Sequence, residues 1–244
     1  MKIKSSILLF YFVIISLQSY SQRKLNFDWM LENESNEIEE KASKEDVVTF
    51  TELIKMYPND DSLYLERSEA KMFLKDYRGS IIDLNKAIEL NPNYYHYYFK
   101  RAIAKSKLKL NTQAIVDFSK AIKLNDTNAI LYSFRAMEKK DLKDDLGAIN
   151  DLTTAIKLDP NNGKNYFWRG FVRFWRADYK NALIDFDSSV YYEENNLSEK
   201  AFYLIYRGKT KLKLGKKDDG CLDFSLAGEL GSEDAYVEIK NSCN

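Results

Sequence analysis

The sequence predicts an all-α fold, an α-solenoid assembled from stacked helical hairpins, and three observations carry that expectation. The first is a period of 34 residues running from residue 61 to 196: Arg67, Arg101, Arg135 and Arg169 share one phase, and Asp83, Asp117, Asp151 and Asp185 share another. A further copy follows a four-residue insertion, with Arg207 and Asp223 in the corresponding places. The second is composition, since 244 residues contain only 9 glycines and 3 prolines, and Pro58, Pro92 and Pro160 all fall on one phase of the lattice. The third is that each unit holds two apolar stretches with helical spacing, which argues against strands. A fixed period of this length marks units that stack on their neighbours and bury their cores only by stacking.

Taken in order, residues 1–21 form a separate object. Lys2 and Lys4 precede an apolar run from Ile7 to Leu17, and Ser19, Tyr20 and Ser21 end it before Gln22. That pattern predicts a secretory signal peptide. The run is about half of the roughly 20 residues a spanning helix needs, so no membrane insertion is expected after cleavage. The chain is therefore expected to be exported, to a bacterial periplasm or to the cell surface. Cleavage would remove two of 37 basic side chains and none of the 37 acidic ones, and this near balance gives no general attraction for nucleic acid.

Residues 22–60 read as an N-terminal segment with a degenerate unit, because Asp46 to Pro58 keeps the phase, with Phe50 and Leu53 at column positions. Five full units are expected at 61–94, 95–128, 129–162, 163–196 and 201–231. Their second helices carry a column of small residues (Ser80, Ala114, Ala148, Ala182, Gly220), a large column (Leu84, Phe118, Leu152, Phe186, Phe224) and another small one (Ala87, Ala121, Ala155, Ser189, Ala227). Spacings of four and three put these on one helix face, and small residues flanking a large one let two helices approach closely. The first helices answer with Ser68, Ala102, Ala136, Gly170 and Gly208, and one turn earlier with Tyr64, Tyr98, Tyr132 and Tyr166. Residues 232–244, with Ala235, Tyr236, Ile239 and Cys243 on one face, read as a capping helix.

These columns resemble the tetratricopeptide repeat (TPR) over residues 61–231, most closely the form Arg101-Ala102-Ile103-Ala104-Lys105 followed by Ala114-Ile115-Val116-Asp117-Phe118. Asp126 and Glu194 depart from the pattern at the proline position, and Gly220-Cys221 departs from Ala-Ile. The resemblance implies a right-handed superhelix whose concave groove is lined mainly by the first helices. It also implies a non-catalytic scaffold that binds a protein or peptide partner. The clamp by which some TPR proteins hold a C-terminal carboxylate does not carry over, because Leu65, Phe99, Phe167, Glu69, Ile103 and Phe171 stand in its places.

Each column arginine is followed four residues later by a second base, Lys71, Lys105, Lys139, Arg173 or Lys211. Like charges at that spacing repel, so an acid is expected between them. The aspartate column supplies it, either across unit boundaries, as Asp83 with Arg101, or within each unit. The structural role, an ion-pair ladder, is favoured over a basic ribbon because every unit carries it.

Binding information belongs where units differ, and the fourth differs most. Its first helix holds Phe167, Trp168, Phe171, Phe174 and Trp175, all at groove-facing or groove-edge positions on the resemblance, and Phe99 extends the candidate surface to the second unit. Exposed aromatics bury large areas at little entropic cost, which makes them binding anchors. Tyr94, Tyr95, His96 and Tyr97 form a lesser candidate patch, with Tyr98 in the core. Alternative readings of the same aromatics are a self-associating envelope component and a carbohydrate binder. Cys221 and Cys243 are either a disulfide stapling the cap, in keeping with export, or two small apolar residues. A single histidine and no phosphate-binding or nucleophile motif predict no enzyme, no metal and no cofactor.

Overall fold

The computed structural model describes residues 40–41, 43–193 and 195–243. The expected signal peptide and residues 22–39 lie outside them. The described chain is helical with no strand: α1 (43–56), α2 (Asp61–Phe73), α3 (Tyr77–Leu90), α4 (Tyr95–Lys107), α5 (Asn111–Leu124), α6 (Ala129–Asp141), α7 (Asp145–Leu158), α8 (Gly163–Trp175), α9 (Tyr179–Tyr192), α10 (Leu197–Lys213), α11 (Lys217–Glu229) and α12 (Glu233–Ser242). Two compact units result, one ending at Asp83 and one running from Leu84 to Asn244, with the division inside α3.

In the second unit each helix packs on the next in chain order, which makes it an all-α repeat solenoid. Its core is the predicted small-large-small column: Ala114, Phe118 and Ala121, then Ala148, Leu152 and Ala155, then Ala182 and Phe186, then Phe224 and Ala227, all wholly buried. Two glycines mark a close approach of α10 and α11. A Cβ on Gly208 would sit 2.9 Å from the Gly220 carbonyl, and one on Gly220 would sit 2.9 Å from the Gly208 carbonyl, so neither place admits a side chain.

The turn inside each hairpin repeats as faithfully as the helices. Lys109, Lys143, Ala177 and Gly215 adopt left-handed backbone with φ between 60° and 77°. The next N–H then reaches back five residues, from Leu110 to Lys105, Asp144 to Lys139, Asp178 to Arg173 and Lys216 to Lys211. Of these only Gly215 occupies this conformation without steric cost, so the other turns, and that at Lys75 between α2 and α3, are held against local preference by the helices they join.

The ladder pairs within hairpins. Asp117 takes two hydrogen bonds from Arg101 (2.8 and 2.6 Å) and one from Lys105 (2.7 Å), and Asp151, Asp185 and Asp223 repeat this with their own arginine and second base. In the first unit Asp83 does the same with Arg67 and Lys71. The cross-boundary pairing entertained from sequence is thus corrected, because an antiparallel hairpin places residues 16 apart face to face. What crosses the boundary is the remaining guanidinium nitrogen, which donates to a polar column on the preceding second helix: Asn85 from Arg101, Ser119 from Arg135, Thr153 from Arg169 and Asp187 from Arg207. Arg101, Arg135 and Arg169 also lie over the tyrosine three residues before them, Arg101 at 5.6 Å from the Tyr98 ring. That tyrosine donates to the carbonyl six residues earlier, Pro92, Asp126 or Pro160. Asp126 can replace proline because the latch uses only the main-chain oxygen.

The cap α12 buries Ala235 and packs Ile239 and Cys243 against the cluster of Phe224 and Ala227. Cys221 and Cys243 are joined in a disulfide, with Cα atoms 5.8 Å apart. Tyr236, expected on the packed face, is largely exposed and rests only its ring edge and hydroxyl near Gly228.

One buried acid breaks the pattern. Glu138 occupies a column otherwise filled by Ala104, Val172 and Thr210, and is 5% exposed. Ser106 on α4 donates to its Oε1 at 2.6 Å, while its Oε2 has no partner among the described residues. Burial raises its pKa above the ordinary carboxylate range, against the opposing Ser106 hydrogen bond. A raised folded-state pKa means stability that is fully present below the unfolded pKa and is lost as pH rises through the folded one. Glu138→Gln is therefore expected to stabilise the protein at pH 7 by about 1–3 kcal/mol, the scale of a buried unsatisfied group. The gain should vanish in acid, where the native carboxyl is already protonated. Denaturant curves of both proteins across that range check it, and a pH-independent difference would remove the assignment to this carboxyl.

Candidate functional site

A groove runs between the first helices of two consecutive hairpins, α6 and α8. The Asn128 side chain caps α6 by accepting from the Ile130 N–H, which fixes the start of one wall. The turn at Pro160 to Asn162, latched by the Tyr166 hydroxyl, fixes the start of the other. Between them lies a cavity of about 350 Å3 lined by Ile130, Ser133, Phe134 and Met137 from α6 and by Lys164, Asn165 and Trp168 from α8. That volume lies at the small end of the range for ligand sites, enough for one or two side chains. A second cavity, about 500 Å3, continues between the same helices and is lined by Lys140, Lys143, Asp145, Phe171, Val172 and Trp175.

The aromatics divide into two groups. Trp168, Phe171 and Trp175 face the groove, touching edge to face at 5.6 and 6.2 Å, and Trp175 is 69% exposed. Lys140 sits 5.7 Å from the centre of the Phe171 ring, which gives that ring a cationic neighbour. Phe167 behaves otherwise. It is 1% exposed, stacked on Tyr203 of α10 at 4.6 Å and packed on Phe186 of α9. The expectation that Phe167 faces a partner is corrected: Tyr203 of α10, in the column where Leu131 packs with Phe99 two units earlier, stacks on it and closes that position. Phe174 is half-buried against Tyr179 and Tyr206. Burial also raises the pKa of Tyr203, which keeps its hydroxyl protonated beside Glu199.

Phe99 on α4 is half-buried and meets Phe134 at 5.4 Å, perpendicular, so it extends the apolar wall from the cavity toward α4 without touching the α8 aromatics. In the lesser patch Tyr94 is exposed and Tyr95 half-buried, but Tyr97 is buried with Tyr98. Sequence reasoning missed Ile130, Phe134, Met137 and Asn165. The signal was available: Phe134, Trp168 and Tyr206 occupy one place in three successive units, a run visible only when that column is read by itself.

Among the described residues no group of three or more His, Cys, Asp or Glu side chains is placed to hold a metal ion. No helix among them is long and apolar enough to cross a membrane.

The fold defines a class, the helical-hairpin repeat solenoids. Residues 61–94 match the family model described as tetratricopeptide repeat. The following hairpins repeat the helical pairing of that unit. No curated protein matches the chain. Among solved structures it is similar to the MamA protein (20% identity, TM-score 0.64, covering 73% of this chain and 95% of that one). It is similar also to YrrB, described as a TPR protein with an unusual peptide-binding site (16%, TM-score 0.64, 79% and 97%). BtubC from P. vanneervenii aligns at 13% identity with TM-score 0.68 over 80% of this chain and 90% of that one. At these identities the likeness is one of fold.

Proposed function

We propose that the protein is an exported, non-catalytic scaffold that binds a protein or peptide partner in the groove between α6 and α8. The observation that carries this reading is the cavity walled by Ile130, Phe134, Met137 and Trp168, with Trp175 left open to solvent at the far end of the same groove. A monomer gains nothing by exposing an indole beside an unfilled apolar cavity, whereas a partner's side chain covering both would remove that apolar surface from water. The peptide-binding site ascribed to YrrB, which shares the fold, is in keeping with such a role. Export is supported by the sequence of residues 1–21 and by the Cys221–Cys243 pair, which suits an oxidising compartment.

A photo-crosslinking residue at Met137, introduced in the native host, is expected to give a heavier adduct. The same residue at Val116, exposed on the second helix α5, should not. An adduct of twice the chain mass would favour self-association instead. Equal labelling from both positions, or none from Met137, would remove the groove as the binding surface.

A further inference from the structure

One boundary between units joins an acid to a hydroxyl where the others do not. Glu138 of α6 stands in the column of Ala70, Ala104, Val172 and Thr210, and Ser106 of α4 in that of Met72, Lys140, Phe174 and Leu212. Ser106 donates to Oε1 across the seam at 2.6 Å, and Oε2 is buried with no partner among the described residues. Nearby cations are already committed: Lys105 to Asp117 at 2.7 Å, Lys139 to Asp151 at 2.8 Å and, on α8, Arg173 to Asp185 at 2.7 Å. Two charges act on the carboxyl. Asp141, one turn further along α6 and paired with Lys140, favours its proton, and Lys109, at the turn that closes α4, opposes it. A neutral carboxyl suits this seam, because burial penalises only the charged form. A carboxylate does not, since water reaches its second oxygen only if α4 and α6 part.

We propose that Glu138 and Ser106 form a proton-operated clasp: the seam between α4 and α6 is closed while the carboxyl is neutral, and the two helices part to hydrate Oε2 when it ionises. Burial holds the pKa above the ordinary carboxylate range, so the change falls at milder acidity than exposed carboxylates need. A raised folded-state pKa means stability present below the unfolded pKa and lost as pH rises through the folded one, so acid closes the clasp and rising pH opens it. The same two helices carry Phe99 and Phe134, whose rings meet at 5.4 Å in the apolar wall that runs toward α4. Opening the seam one turn from Phe134 shifts that wall. The clasp goes beyond the partner-binding reading and does not depend on it.

Hydrogen exchange followed by mass spectrometry, on the chain with its disulfide intact, tests the clasp. Rates are corrected for the intrinsic effect of pH, and α10 and α11 serve as the internal reference. Peptides spanning Ser106 and Glu138 are expected to exchange several-fold faster above the transition than below it, while the reference helices stay level. Glu138→Gln, which cannot ionise, should stay slow throughout. The midpoint supplies a readout that packing alone would not move. Ser106→Ala and Lys109→Gln each remove a group that favours the carboxylate and should raise it, whereas Asp141→Asn removes one that favours the proton and should lower it. An equal pH dependence in Glu138→Gln, or none in the wild type, would overturn the clasp. So would a midpoint indifferent to all three neighbours, or acceleration shared equally by α10 and α11, which would report global loosening.

Discussion

Replacing Asp151 with alanine is expected to lower the unfolding free energy by about 3–5 kcal/mol, the cost of removing one partner from a buried ionic group. The side chain is 7% exposed and accepts from Arg135 at 2.8 and 2.6 Å and from Lys139 at 2.8 Å. Without it two cations, each four-fifths or more buried, face one another across a single helical turn with no carboxylate between them. The damage also spreads beyond the hairpin. Arg135 bonds Ser119 of the preceding second helix and lies over Tyr132, so freeing its guanidinium loosens a boundary between units as well as one unit. The control is Asp141→Ala, whose pair with Lys140 is half-exposed and is expected to cost about 0–1 kcal/mol. Urea denaturation followed by circular dichroism measures both. A loss for Asp151→Ala no larger than that for Asp141→Ala would show that the ladder is incidental to stability.

Reduction of the Cys221–Cys243 disulfide is expected to cost about 3 kcal/mol, the loop-closure entropy returned to the unfolded chain by opening a loop of this length. For a chain of this size that corresponds to a fall in Tm of about 6–12 °C. The loss should concentrate at one end. The cap is a ten-residue helix with one wholly buried side chain, Ala235, too short to persist alone, and the disulfide ties its last turn to α11. Hydrogen exchange should therefore accelerate first in α12 and then in α11, where Phe224 and Ala227 would lose their cover. Melting curves with and without reductant, with free thiols counted, provide the check. An unchanged Tm in the fully reduced protein would mean that packing alone holds the cap.

The repeat lattice was readable because it is enforced by contacts every unit shares. A small residue recurs at Ala114, Ala148, Ala182 and Gly220 because a first helix approaches there, and no single substitution in one unit hides a pattern repeated in the rest. The hairpin turns were not readable: nothing in Lys109, Lys143 or Ala177 announces left-handed backbone, which the two packed helices impose on them. The site was legible as a region and not as a geometry. An aromatic-rich α8 stands out in sequence, but whether Phe167 or Trp175 meets solvent depends on how α10 packs on α8 and sets Tyr203 over Phe167.

The amino-acid sequence by itself determined the all-α repeat, its period, its packed columns and the presence of an ion-pair ladder. These follow from periodicity and from chemistry that must be satisfied in every unit. The tertiary structure alone decided that Arg101 meets Asp117 and not Asp83, that Phe167 is core while Trp175 is open, and that Ser133 and Asn165 share one cavity. Each of these choices lies between positions nearly equidistant along the chain. Only the register and crossing of two packed helices separate them.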